Sequence, residues 1–148
     1  MLLQRRILAP WIASTVVMYG LSFLWHGIAL NDLSELKIPM GLYVLLSVVV
    51  YVVIGLGSTF AMHQAIHHHW IGIRQGFPLK GLLLGAVIGF LVYLLAFLFG
   101  MSFTDRKVMH ILVDVLWQMV EQGMGGLMVS LGIIYDLHQN FLENEQAR

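Results

Sequence analysis

The sequence contains no cysteine and few charged residues. The absence of cysteine excludes disulfides, thiolate metal sites and cysteine nucleophiles. Charged residues make up only 11% of the 148 residues and the formal net charge is zero, so nothing predicts a nucleic-acid partner. Hydrophobic residues make up 59%, and the mean hydropathy of +0.82 is too high for an ordinary soluble domain. The composition therefore predicts an integral membrane protein.

Four apolar segments are each long enough to cross a bilayer as a helix, which takes about 20 residues. They are residues 7–30, 39–63, 79–100 and 108–135. They are too long and too unbroken for the strands of a membrane barrel, which have about 10 residues of alternating polarity. We therefore predict an all-α fold, a polytopic four-helix bundle that forms a single transmembrane domain over residues 1–148. Its short connections predict that successive helices lie antiparallel.

Basic residues near the ends of the spans predict the orientation. One side carries five of them and the other side three: Arg5, Arg6, Arg74, Lys80 and Arg148 against Lys37, Arg106 and Lys107. The first apolar run is long and lacks a clear small-x-small cleavage site, so an uncleaved signal anchor is expected. The bias predicts a multi-pass protein with both termini in the cytoplasm.

Two pairs of similar segments indicate an internal repeat. They are YGLSFLWHG at 19–27 with YLLAFLFG at 93–100, and LGSTFAMHQ at 56–64 with LGIIYDLHQ at 131–139. The shared tyrosine, glycine and His-Gln positions, together with Asp32 and Asp105 after the first pair, carry more weight than the aliphatic positions, which match easily by chance. We predict two helical hairpins, at about residues 7–70 and 79–140, that enter the membrane in the same direction and are related by an axis along its normal.

Polar residues recur at helical spacing in the first and fourth spans. They are Thr15, Tyr19, Ser22 and His26 in the first span, and His110, Asp114, Gln118, Glu121 and Gly125 in the fourth. A carboxylate near the middle of a membrane helix costs at least about 2.5 kcal/mol, so Asp114 and Glu121 are predicted to face the bundle interior, a cavity or a partner chain. With a rise of about 1.5 Å per residue, His26 lies at the depth of Asp114 or His110, and Tyr19 at the depth of Glu121. The prediction is an intramembrane polar cluster of Tyr19, His26, His110, Asp114, Gln118 and Glu121.

The third span carries Gly81, Gly85 and Gly89 at steps of four residues. Such a ridge of small residues lets another backbone approach closely and is typical of helix packing in membranes. We predict that this ridge packs against the glycines of the fourth span or against a neighbouring subunit.

Histidines provide two candidate metal sites. One is the intramembrane set His26, His110, Asp114 and Glu121, and the other is the pair His63 and His67, with His68 or His69 beyond it. The spacing of His63 and His67 resembles a histidine box of membrane desaturases and hydroxylases. Those enzymes combine several boxes and this chain has one, and histidines at a membrane interface commonly anchor the helix.

A b-type haem held by two histidines is a further alternative, but His26 and His63 lie toward opposite faces of the membrane. No cofactor is predicted to be required, and a metal ion or haem remains the alternative. A hydrolase is not predicted, because Ser22, Ser58 and Ser130 lack any nucleophile signature.

FLWHG, within residues 19–32, and DVLWQMVEQGMGG, at 114–126, resemble segments of small four-helix bacterial integral membrane proteins of unknown function. Those proteins also carry an aromatic-rich W-H or W-Y motif late in the first helix. The resemblance implies the four-helix membrane fold and carries no activity with it.

We therefore expect a non-catalytic integral protein of the bacterial inner (cytoplasmic) membrane, a structural or accessory subunit of a membrane complex that packs through Gly81, Gly85 and Gly89. Its expected partners are membrane lipid and either other membrane-protein subunits or further copies of the chain. The alternative is a metal-binding or proton-relay protein that uses the intramembrane histidine and carboxylate cluster, since ionisable residues within spans commonly mark function. Buried polar groups also specify packing, so the cluster alone does not decide between the two.

Overall fold

A computed structural model of the chain describes residues 2–30, 38–98 and 108–146, apart from the side chains of residues 2–4, 108 and 110. The regular structure within these ranges is entirely helical, which confirms the predicted all-α class. The elements are α1 (Leu2–Phe23), which continues into a π-helical turn (Leu24–Ala29), then α2 (Met40–His67), α3 (Phe77–Leu98) and α4 (Val108–Gln146).

Three helical segments are long and apolar enough to cross a membrane: Arg5–Ala29, Met40–His67 and Phe77–Leu98. Of the described helices, α4 falls outside this group, because Asp114, Glu121 and its glutamines lower its hydropathy. α4 also extends well past its predicted end at residue 135. Its 39 residues measure about 58 Å, roughly twice the thickness of a bilayer's hydrocarbon core.

α2 ends at a left-handed backbone turn at His69, whose φ is 59°. The amide of Trp70 donates to the carbonyl oxygen of Ala65 (2.9 Å), and the amide of His69 donates to that of Ile66 (3.0 Å). These two bonds form a Schellman motif, which satisfies the last free carbonyls of a helix. The helix therefore runs one turn past its predicted end at residue 63 and includes His67.

α4 is the central helix of the bundle. It packs most extensively on α3 and next on α1, whereas α2 packs mainly on α1. α2 and α3 barely touch, although they are consecutive and were predicted to lie side by side. Near their connection, a buried apolar cluster joins α2, α3 and α4; it consists of Met62, Phe77, Val129 and Ile133. Going from each helix to its main neighbour in space, the order is therefore α3, α4, α1, α2.

The glycine ridge of α3, which consists of Gly81, Gly85 and Gly89, lies buried against α4. A Cβ added to Gly81 would lie 2.6 Å from the carbonyl oxygen of Gly126, and one added to Gly85 would meet the carbonyl oxygen of Gln122. The two backbones are therefore in direct contact, the close approach that small residues permit. Because α4 occupies this ridge within the chain, the ridge is not free to bind a neighbouring subunit.

Candidate functional site

A carboxylate lies in the interior where α1, α2 and α4 meet. Glu121 is 1% exposed. The hydroxyl groups of Ser22 and Tyr51 and the indole N–H of Trp117 lie within interaction distance of its carboxyl group. Ser22 also reaches the hydroxyl group of Tyr51. We call these four residues the Glu121 cluster. Three donors, one from each helix, around a single carboxylate favour one rotational setting of those helices.

Two atoms of the Glu121 cluster have no hydrogen-bond partner among the described residues: Oε1 of Glu121 and Nε1 of Trp117. The indole therefore lies near the carboxylate without donating to it. The neighbouring Gln122 is 0% exposed, and both polar atoms of its amide lack a partner in the same part of the chain. Because these atoms have no partner, the described contacts leave hydrogen-bonding capacity unused in this interior. Each unsatisfied buried polar atom costs about 1–3 kcal/mol.

One face of α1 positions Ser22 in the cluster. Pro10, Met18 and Ser22 lie at multiples of four residues, so they share this face, and all three are buried. Going along α1, they lie against successive positions of the antiparallel α4: Gly132, Gly125 and Glu121. The two glycines of α4 make room for the proline ring and the methionine side chain, which brings the helices close enough for Ser22 to reach Glu121.

A second face of α1 contacts α2. Nε1 of Trp11 donates to the carbonyl oxygen of Val52 (2.8 Å), and Oγ1 of Thr15 donates to that of Tyr51 (3.4 Å). The ring of Tyr19 packs edge-on against the ring of Tyr51, with centroids 6.0 Å apart and planes at 69°. The tyrosine that meets Glu121 is therefore Tyr51, not Tyr19 as predicted, and Tyr19 instead buttresses Tyr51. The predicted polar stripe of α1 thus divides between two neighbouring helices.

Two stacked tryptophans join the π-helical turn to α4. The rings of Trp25 and Trp117 are 4.2 Å apart and nearly parallel, at 12°. Trp117 lies one helical turn from both Asp114 and Glu121, so the stack brings the π-helical turn, which carries His26, to the level of Asp114. His26 and Asp114 are each half-buried. Turns of this kind frequently occur at functional sites.

The remaining predicted cluster members occupy different surroundings. Gln118 is half-buried, and a Cβ added to Gly89 of α3 would meet its carbonyl oxygen, so it belongs to the α3–α4 contact. The side chain of His110 lies outside the described residues. The structure therefore places Glu121 in one cluster with Ser22, Tyr51 and Trp117, and places Gln118 toward another helix.

Asp136 is a buried acid that the sequence analysis missed. It is 3% exposed; its Oδ2 accepts a hydrogen bond from Nδ2 of Asn140 (3.2 Å), and its Oδ1 has no partner among the described residues. It is close enough to His63 to act on it electrostatically. Asp136 follows the buried Val129 and Ile133 by seven and three residues, so the helical period would have indicated an interior position.

The histidines at the end of α2 have different surroundings. Nε2 of His63 lies 3.4 Å from the carbonyl oxygen of Arg6, whereas His67 is exposed and its ring meets that of His68 edge-on at 5.2 Å. Within the described ranges, no group of three or more histidine, aspartate or glutamate side chains is placed to hold a metal ion. The other predicted set, His26, His110, Asp114 and Glu121, includes the side chain of His110, which is not described.

Comparisons with protein-family models, curated proteins and solved structures give no match to this chain. The resemblance to small bacterial four-helix membrane proteins therefore rests on its short sequence motifs.

Proposed function

We propose that this protein spans the bacterial inner membrane four times, with both termini in the cytoplasm, and serves as a non-catalytic structural or accessory subunit of a membrane complex. Three of its helices have the length and composition of membrane spans. The fourth crossing is supported by the position of α4, which packs along both α1 and α3 and buries the carboxylate of Glu121 in the interior.

The exposure of α2 is the observation that supports a subunit role. α2 is an apolar helix of 28 residues. In its most apolar stretch of 18 residues, only 6% is buried inside the chain. A stripe of large exposed side chains recurs along it at steps of three and four: Leu45, Val49, Val53, Leu56 and Phe60. Gly57 lies beside this stripe, and a Cβ added there would meet no atom within 4 Å. We call this surface the α2 stripe; its spacing suits a partner helix.

Crosslinking in native membranes tests this role, and the cysteine-free sequence gives it a clean background. Val53→Cys places a thiol on the α2 stripe at a side chain that is 62% exposed, and Leu83→Cys places one on α3 at a comparable 57%. After coupling to a photoreactive maleimide, we expect a discrete product of higher mass from Val53→Cys and none from Leu83→Cys. Equal products from both positions, or none from either, would contradict a specific partner at α2.

The Glu121 cluster supports a second candidate function, transfer of protons through the membrane interior. Glu121 and Asp136 lie on the same helix, both are almost fully buried, and each has an oxygen without a partner among the described residues. The amide of Gln122 lies between them along the chain, also unpaired. Intramembrane carboxylates of this kind are typical of proton relays.

Proton flux into vesicles separates the two functions. A relay predicts that vesicles containing the protein dissipate an imposed pH gradient faster than empty vesicles, and that Glu121→Gln reduces the excess flux at least about tenfold, because an amide does not release a proton under these conditions. Glu143→Gln, at an exposed acid near the end of α4, is the matched control and should leave the flux unchanged. Equal flux from all three proteins would exclude the relay and leave the subunit role in place.

A further inference from the structure

A groove opens between the beginning of α1 and the end of α2. Three apolar side chains line it, Ile7, Phe60 and Ile66, together with Gln64 and with three basic or imidazole-bearing side chains that we call the rim: Arg6, His63 and His67. Nε2 of His63 lies 3.4 Å from the carbonyl oxygen of Arg6, so the two helices meet at this rim. Both helices are candidate membrane spans, and the groove lies at the end of each.

The rim carries a cation that no carboxylate of the described residues neutralises. Arg5 pairs with Glu143 of α4, with Nη1 and Oε1 2.9 Å apart. The guanidinium group of the adjacent Arg6 makes no ion pair with any described residue, and Arg6 is exposed. The Asp136 carboxylate acts electrostatically on His63, but it is 3% exposed and does not line the groove. The rim is thus open to an anion.

We propose that this groove binds a membrane phospholipid with an anionic headgroup. Arg6 and His67 would contact the phosphate, and an acyl chain would run along Ile7 and Phe60, whose side chain is 64% exposed. The groove combines an apolar wall with a cationic rim at one end, which matches the two ends of such a lipid. Trp70, 79% exposed just beyond α2, has the amphipathic ring typical of the headgroup layer and agrees with this depth. The inference rests on membrane insertion of α1 and α2, and it shares Phe60 with the α2 stripe.

Lipid titration of the purified full-length protein, followed by native mass spectrometry, tests this proposal. Phosphatidylglycerol is expected to bind and phosphatidylcholine to bind at least about fivefold more weakly. Arg6→Gln should weaken phosphatidylglycerol binding about fivefold, the effect of one basic residue near a membrane surface. The matched control is Arg74→Gln, which removes the same charge from the exposed connection between α2 and α3 and should change nothing.

A second variant tests the acyl-chain contact separately from the headgroup contact. Phe60→Ala removes an exposed groove wall without touching the rim, and should also weaken phosphatidylglycerol binding. Equal binding of the two lipids, or equal effects of Arg6→Gln and Arg74→Gln, would overturn the proposal. Inorganic phosphate is the competing ligand: if millimolar phosphate displaces phosphatidylglycerol while Phe60→Ala has no effect, the site binds free phosphate and the lipid proposal is wrong.

Discussion

Replacing Gly85 by leucine is expected to abolish the packing of α3 on α4 and, with it, the folded bundle. A Cβ at this position would meet the carbonyl oxygen of Gln122 and would lie 3.0 Å from the Cα of Gly123. Both contacts are with the backbone of a helix, which cannot rotate aside as a flexible side chain can. Overpacking a well-packed interior costs about 1–3 kcal/mol, and a whole leucine between two touching backbones should exceed about 3 kcal/mol.

The measurement is the free energy of unfolding in mixed micelles, titrated with a denaturing detergent and followed by tryptophan fluorescence. Gly57→Leu is the matched control, because a Cβ at Gly57 would find open space within 4 Å. It should change the free energy of unfolding by less than about 1 kcal/mol, since an exposed helical glycine differs from a good helix former by roughly that amount. If both variants lose the same stability, the close approach at Gly85 does not hold α3 to α4.

Replacing Glu121 by lysine is expected to prevent stable folding. The change puts an ammonium group, which donates three hydrogen bonds and accepts none, among the donors of Ser22, Tyr51 and Trp117. At 1% exposure the new charge has no access to solvent. An uncompensated buried charge costs about 3–5 kcal/mol, and the hydroxyl groups of Ser22 and Tyr51 would lose their acceptor as well.

Two matched variants isolate this effect in the same unfolding assay. Glu145→Lys reverses a charge at the exposed end of the same helix and should leave stability within about 0.5 kcal/mol. Glu121→Gln keeps the shape and an accepting oxygen, so it should cost no more than about 1.5 kcal/mol, the net value of one hydrogen bond. A fully folded Glu121→Lys would mean that the carboxylate is not enclosed by these three helices.

The sequence predicts which helices form and how α3 meets α4, but not which residues surround Glu121. Long apolar runs define spans because the backbone must be satisfied within each helix, and three of the helices have that character. Polarity also indicates that Glu121 faces inward. It does not indicate which neighbour lies there. Tyr51 sits in an apolar helix with little helical patterning, so nothing in α2 alone marks it as the partner of a residue 70 positions away.

The predicted repeat is a second case in which the sequence indicates the helices but not how they pack. An axis that exchanges the two hairpins would also exchange the α1–α4 contact with the α2–α3 contact. In the structure, α1 packs extensively on α4, whereas α2 and α3 barely touch. The arrangement is therefore asymmetric, and a common origin of the hairpins remains a prediction from the matched segments. Similar hairpins can pack differently, because small side chains such as Gly81 and Gly126 decide where backbones approach.

The length of α4 connects two distant parts of the bundle. The chain has no proline between residues 79 and 148, and α4 runs without interruption for 39 residues. Its far end is tied to the first turns of α1 by the ion pair of Arg5 with Glu143. One continuous helix therefore extends from this ion pair to the layer of the bundle that contains Glu121.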